Sequence, residues 1–116
     1  MTKKWVDVAA ANDIEEDDVI SVEIEATEIA VYNVDGTFYA TDGVCTHQYA
    51  CLADGLPQDG VIECPMHNGR FDIKTGKALG APVSIDLKTY PTKVEDGRVL
   101  RRIIRVNSVD IAMNNS

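Results

Sequence analysis

Both histidines and all three cysteines of this 116-residue chain fall between Cys45 and His67. They form two mixed pairs, Cys45-Thr46-His47 and Cys64-Pro65-Met66-His67, with Cys51 left over. A lone buried cysteine behaves as a small hydrophobe, and a lone histidine is usually a satisfied structural residue. Two pairs that each set a thiolate beside an imidazole within one loop point instead to a metal. Zinc would accept two thiolates and two imidazoles in a tetrahedron, but zinc fingers group like ligands, C-x2-4-C and then H-x3-5-H. Here the pairs are mixed, C-x-H and C-x2-H. A two-iron cluster in which two histidines replace two cysteines on one iron suits that arrangement better. Each loop then supplies one sulfur to the first iron and one nitrogen to the second.

The chain that positions these residues is long enough for one domain with one core. Its formal charge of −8, from 19 acidic and 11 basic residues, argues against a nucleic-acid partner and leaves basic protein partners or simple solubility. The start, "MTKKWVDVAAANDIEEDD", carries two lysines with no apolar stretch behind them and does not read as a signal peptide. The apolar run Tyr49 to Ala53 is far too short to span a membrane. The expected compartment is the reducing cytoplasm, where cysteine spacing suggests metal or redox work before disulfides.

Strand patterns dominate. "VISVEIEA" alternates Ile20, Val22, Ile24 and Ala26 on one face. "IAVYNVDGTFYA" and "TKVEDGRVLRRI" each read as two strands about an Asp-Gly turn, Asp35-Gly36 and Asp96-Gly97, because such turns need positive φ. "VSIDLKTY" places Val83, Ile85 and Leu87 on a common face. Only "AAANDIEEDD" has helical character, and Glu15-Glu16-Asp17-Asp18 reads as a solvated turn. The stretch "NSVDIAMNNS" reads as a loosely held tail. The expected class is all-β, with the ligand-rich segment inserted between the central hairpin and the later strands.

The ligand pattern "CTH-x16-CPMH" resembles the Rieske signature, C-x-H followed by C-x2-H. "FYATDGVCTH", "LADG", "IECPMHNGRFDIKTGKALGAP" and "LKTYP" are similar to the Rieske ferredoxins of bacterial aromatic-ring-hydroxylating dioxygenase systems, over Lys4 to Leu100. The resemblance implies a Rieske iron–sulfur fold, an antiparallel base with a small inserted cluster-binding subdomain of about 43–83. The whole chain, 1–116, would be one such domain, with 103–116 as the tail. One 2Fe-2S cluster per chain is implied, with Cys45 and Cys64 on the inner iron and His47 and His67 on the outer. The implied role is electron carriage, not catalysis, from an NAD(P)H-dependent flavoprotein reductase to a terminal oxygenase, with no membrane partner. Gly80-Ala81-Pro82 resembles the proline-containing loop that covers the cluster. Gly69 follows the second ligand loop, where a side chain would crowd the cluster or its backbone hydrogen bonds, and Gly76 is expected to serve only a hairpin turn.

Two neutral imidazoles in place of two thiolates leave the oxidised cluster uncharged rather than at −2, which is why such centres lie at about −150 to +300 mV against about −400 mV for plant-type ferredoxins. Within that window a low potential is expected. The high-potential members carry an extra cysteine in each ligand loop, joined as a disulfide, and a hydroxyl residue soon after the second histidine. Here Met66 stands in the second loop, Cys51 has no partner, and Asn68-Gly69-Arg70 follows His67. Fewer hydrogen bonds to sulfur stabilise the reduced form less. Two alternatives remain: a zinc-stabilised interaction module built on the same two Cys and two His, or a Rieske electron-transfer subunit of another oxidoreductase. A catalytic oxygenase is excluded, since its iron site needs two further histidines and a carboxylate. Nucleophilic catalysis by Cys51 lacks an uncommitted histidine to activate it.

Overall fold

Three Asp-Gly dipeptides set the turns from which the sheets are built. The computed structural model describes residues 2–24, 26–46, 50–65, 69–80 and 83–105, with side chains described between 5 and 102. Asp35-Gly36, Asp59-Gly60 and Asp96-Gly97 all adopt positive φ, between 52° and 89°. Two consecutive residues of that kind match the right-handed twist of the flanking strands. The first and third turns were expected; Asp59-Gly60 carries the same signal and closes a hairpin inside the ligand-rich segment.

The described strands form three antiparallel sheets. β1 (Thr2–Ala10), β10 (Arg98–Arg105) and β9 (Thr92–Glu95) make one, in the order β1-β10-β9. β2 (Asp18–Ile24), β3 (Thr27–Val34), β4 (Thr37–Asp42) and β8 (Thr89–Tyr90) make the second, in the order β2-β3-β4-β8. β5 (Leu56–Gln58), β6 (Val61–Glu63) and β7 (Arg70–Asp72) make the third, between the two cysteine-bearing loops and just after them. Among the described residues the only helical pieces are single 3-10 turns at Ala11–Asp13 and Leu52–Asp54.

Strand β3 is buried from Ile29 to Val34 because each of its faces meets a core. Ile29 and Val31 join Ile14, Ala40 and Val99, with Ile20, Val22, Ile24 and Phe38 packed at the margin, in the core of the base. Ala30, Tyr32 and Val34 join Leu52, Ile62, Phe71, Ile73, Val83, Leu87 and the two cysteines Cys45 and Cys64. The period of two along the strand thus divides one segment between two cores. Tyr32, fully buried, satisfies its hydroxyl on Thr41 Oγ1 at 2.8 Å, and Thr41 donates onward to the Asp42 carbonyl at 2.8 Å. Burial pushes the Tyr32 phenol well above its usual range, so it stays a donor.

Three local expectations differ from the structure. The segment "AAANDIEEDD" yields one 3-10 turn rather than a helix, because the Ala11 N–H is taken by the Gly97 carbonyl at 2.9 Å and only Ile14 is buried. Glu15 to Asp18 are exposed, as a solvated turn should be. Ala26 does not continue the face of Ile20, Val22 and Ile24: it is exposed at a φ of 68°, in the turn between β2 and β3. Residues 83–88 form no strand either, and Ile85 is 64% exposed while Val83 and Leu87 are buried. Their backbone and side chains serve other partners: Val83 N–H bonds Gly80 O, Leu87 N–H bonds Gly76 O, and Asp86 Oδ1 accepts from Ala78 N–H.

Candidate metal centre

Each of the two cysteine-histidine pairs stands in a loop closed by the same backbone bond. Cys45 N–H donates to Ala50 O at 2.9 Å and Cys64 N–H donates to Gly69 O at 2.7 Å, five positions on in both cases. Each closure encloses the histidine of its pair. Cys45 is 3% exposed and Cys64 1%, and both belong to the buried cluster formed with Leu52, Ile62, Phe71 and Val83. His47 and His67 lie outside the described residues, as do Gln48, Tyr49, Met66, Asn68, Ala81 and Pro82.

The first loop rises from the end of β4. Its neck is a short antiparallel pairing: Val44 bridges Cys51, and Leu52 N–H donates to Gly43 O at 2.8 Å. Gly43 N–H donates to Glu28 O at 2.8 Å, and a Cβ on Gly43 would lie 2.9 to 3.1 Å from Glu28 atoms. Asp42, just before the neck, accepts from Tyr90 Oη at 2.5 Å, and its N–H donates to Lys88 O at 2.9 Å. Burial first, and the Asp42 hydrogen bond second, push the Tyr90 phenol up to about 12, so it remains a donor. The buried Arg101 guanidinium stacks on the same ring, 3.8 Å from its centroid.

The second loop sits in the β6–β7 hairpin and is held by packing. A Cβ on Gly69 would come within 2.6 Å of Val83 Cγ1, so glycine there admits the buried Val83 side chain. A side chain at Gly69 was expected to crowd the cluster or its backbone hydrogen bonds; the neighbour it would meet is the Val83 side chain. Gly76 does more than turn the chain. At a φ of 76° its missing side chain lets the Leu87 carbonyl approach, 2.2 Å from where a Cβ would stand.

A third segment, 79–88, ties the two loops together. Leu79 N–H donates to Arg70 O at 2.9 Å, Val83 packs on Gly69, and Thr46 Oγ1 donates to Ile85 O at 2.7 Å. Thr46 lies between the candidate ligands Cys45 and His47, so this bond joins the first loop to the segment that carries Gly80 and Val83.

All three cysteines are described, and none of them is joined in a disulfide. Cys51 differs from the other two: it is half-buried, and its S–H donates to Glu28 Oε2 at 2.7 Å. Burial, then the Glu28 acceptor, push that thiol up, which makes it a poor nucleophile. Sequence reasoning missed Glu28, Val83 and the Thr46–Ile85 bond. Thr46 stands inside the ligand motif and could have been questioned, whereas nothing near Glu28 in sequence marks it. As a donor set, two cysteine sulfurs from equivalent loops in one dry cluster suit soft-metal ligation.

A Rieske [2Fe-2S] domain model matches residues 4–91 of this sequence. The chain belongs to the Rieske [2Fe-2S] family. It is 50% identical over 103 residues to the ferredoxin component of the naphthalene 1,2-dioxygenase/salicylate 5-hydroxylase systems of Ralstonia sp., covering 89% of this chain and 99% of that protein. Among solved structures it superposes on a ferredoxin from Sphingomonas yanoikuyae B1 with a TM-score of 0.83 at 39% identity, covering 87% of this chain and all (100%) of that one. It also matches a complex of reduced oxygenase and oxidized ferredoxin in carbazole 1,9a-dioxygenase, at a TM-score of 0.79 and 37% identity, over 84% of this chain and 91% of that one. The expected all-β Rieske architecture and the two-iron, two-sulfur cofactor of this family hold. Like these ferredoxins, the chain is an electron carrier rather than a catalyst. No helix among the described residues is long and apolar enough to cross a membrane.

Proposed function

We propose that this chain carries single electrons from an NAD(P)H-dependent flavoprotein reductase to the terminal oxygenase of an aromatic-ring-hydroxylating dioxygenase system, and that Cys45, His47, Cys64 and His67 hold its cluster. The observation that carries the reading is the pair of loops with the same closing bond, each opening on a buried cysteine and each containing one histidine. When bound, the cluster supplies a one-electron couple at the potentials of a His-ligated centre. The residues of the chain do the rest. Cys45 and Cys64 anchor from the dry side, within the core they share with Phe71 and Leu52. His47 and His67 hold the outer side, where an electron leaves by the shortest path to a docked partner. The Thr46 hydroxyl and Val83 keep the two loops in register with the third segment.

Both partners dock at this tip, around His47, His67 and Pro82, with Gln48, Tyr49, Met66 and Asn68 on the contact surface. Redox encounters of this kind are small, below about 1,200 Å² in total. The net charge of −8 favours basic partners and raises their encounter rate, while the uncharged tip allows close approach. The setting is the cytoplasm, with the subdomain of about 43–83 as the cluster carrier. Two analyses test the reading. Iron and acid-labile sulfide should each be found at about two per chain in red-brown protein; colourless protein with stoichiometric zinc would overturn it. Stopped-flow transfer to the oxygenase should slow as salt rises, because screening lowers the association rate. Tyr49→Glu or Met66→Glu should weaken docking without bleaching, and normal transfer in both would move the docking face elsewhere.

A further inference from the structure

Cys51 and Glu28 stand 23 positions apart and meet at the base of the first ligand loop. We propose that the Cys51 thiol and the Glu28 carboxylate form a clasp across that neck, and that both are positioning residues for the loop carrying Cys45 and His47. The proposal rests on the cluster reading given above.

Four contacts converge on the neck. The Cys51 S–H donates to Glu28 Oε2 at 2.7 Å, and Ser21 Oγ donates to the same oxygen at 3.0 Å, which fixes the carboxylate on strand β2. The Glu28 backbone carbonyl takes the Gly43 N–H at 2.8 Å, so one residue grips the entering strand of the loop through its main chain and the leaving strand through its side chain. Val44 and Cys51 are themselves bridged, and the next pair inward is the closing bond from Cys45 to Ala50. Glu28 also borders, with Asp42, Val44, Cys45 and Thr46, a hollow of about 410 Å³ beside the loop. The clasp is therefore only one residue from the closure that orients a ligand cysteine. A protonated thiol is what the geometry requires, since a thiolate would repel the carboxylate. Burial and the acceptor carboxylate both hold it protonated. The spare cysteine thus has a task that needs neither metal nor nucleophilic chemistry, and a serine could perform it.

The test is the rate at which a chelator bleaches the visible spectrum of the holoprotein, which reports opening of the ligand loop, together with the EPR linewidth of the reduced protein. Cys51→Ala is expected to bleach roughly five- to tenfold faster, the loss of one hydrogen bond to a charged group at a half-exposed site. It should also broaden the signal, since loosely held ligands sample more geometries. Cys51→Ser should restore both to the parent's values. Glu28→Ala should bleach at least as fast as Cys51→Ala, since it also frees Ser21 Oγ, and the double variant should be no worse than the worse single, because each change removes the Cys51–Glu28 contact. Should Glu28→Ala fail to fold, the Cys51 pair decides alone. Parental bleaching and linewidth in Cys51→Ala, equal damage from Cys51→Ser and Cys51→Ala, or additive effects in the double variant would each overturn the clasp. Failure of the cluster reading looks different: the parent itself would be colourless before any substitution.

Discussion

The loop after Cys45 and the loop after Cys64 share a closing bond, the cysteine N–H to the carbonyl five positions on, yet their necks are built from different materials. The first is held by polar contacts from β3, from β8 and from the segment 83–88: Glu28 to Gly43 and Cys51, Tyr90 to Asp42, Thr46 to Ile85. The second is a continuation of the β6–β7 hairpin and is held by the Val83 methyl groups filling the space that Gly69 leaves. The difference follows from where each loop sits. The second interrupts a two-stranded ladder that already fixes its ends, whereas β4 pairs with β3 and β8, and the chain leaving the first loop meets the entering chain only at the Val44–Cys51 bridge. One closing bond is thus reached by two kinds of support, and the two should fail differently.

Removing a sulfur should erase the comparison altogether. Cys45→Ser and Cys64→Ser are each expected to lower iron and acid-labile sulfide from about two per chain to near zero, while Cys51→Ser leaves both unchanged. Equal loss from all three would mean that the spare cysteine is wrongly assigned. Replacing a histidine is the next largest change. His47→Cys and His67→Cys add a thiolate charge, so each should lose the cluster or move its midpoint potential toward the region of about −400 mV typical of all-cysteine plant-type centres. Voltammetry showing the parent's potential in both variants would remove the histidines from the ligand set.

The two necks can then be set against each other by adding one methyl group to each. Gly69→Ala overpacks Val83 and should cost about 1–3 kcal/mol in urea unfolding. Val83→Ala in the same chain should recover part of that, with a coupling of about 0.5–3 kcal/mol. Gly43→Ala meets the backbone of Glu28 as well as its side chain, so Glu28→Ala should give no comparable rescue. Equal rescue at both sites would mean that the necks are alike after all. The smallest effect is expected from Thr46→Val, which deletes the exposed bond to Ile85 O and should cost about 0.5–1 kcal/mol by the same measurement.

What the sequence disclosed follows the same division between local and distant support. Asp35-Gly36 and Asp96-Gly97 announce their hairpins because the dipeptide itself supplies the required φ. The Cys-x-His and Cys-x2-His spacings announce two loops of like closure because each pair lies within one of them. The alternation of Val83, Ile85 and Leu87 misled for a matching reason. It is a local pattern without a ladder partner, and the Val83 and Leu87 N–H groups are taken by Gly80 and Gly76 instead. The helical reading of "AAANDIEEDD" failed because a single buried side chain, Ile14, cannot anchor an amphipathic face. Glu28 was invisible. Its partners Gly43 and Cys51 are distant in the chain, and a glutamate at the start of a strand looks like any solvated residue until the fold brings them to it.

Strand β3 carries a last consequence. It lends Ile29 and Val31 to the core of the base and Ala30, Tyr32 and Val34 to the core that holds the two cysteines. A strand with a stake in both cannot be let go by either alone, so the halves of the molecule are joined into one cooperative unit. The amide protons of β3 should accordingly be the slowest in the chain to trade with deuterated solvent, exchanging only when the whole molecule opens. Those of the exposed Glu15 and Glu16 should be replaced almost at once, whereas the Asp17 N–H is held by the Asn33 carbonyl of β3 at 2.8 Å. The chemistry at the tip would then rest on a rod that the protein never bends in its native state.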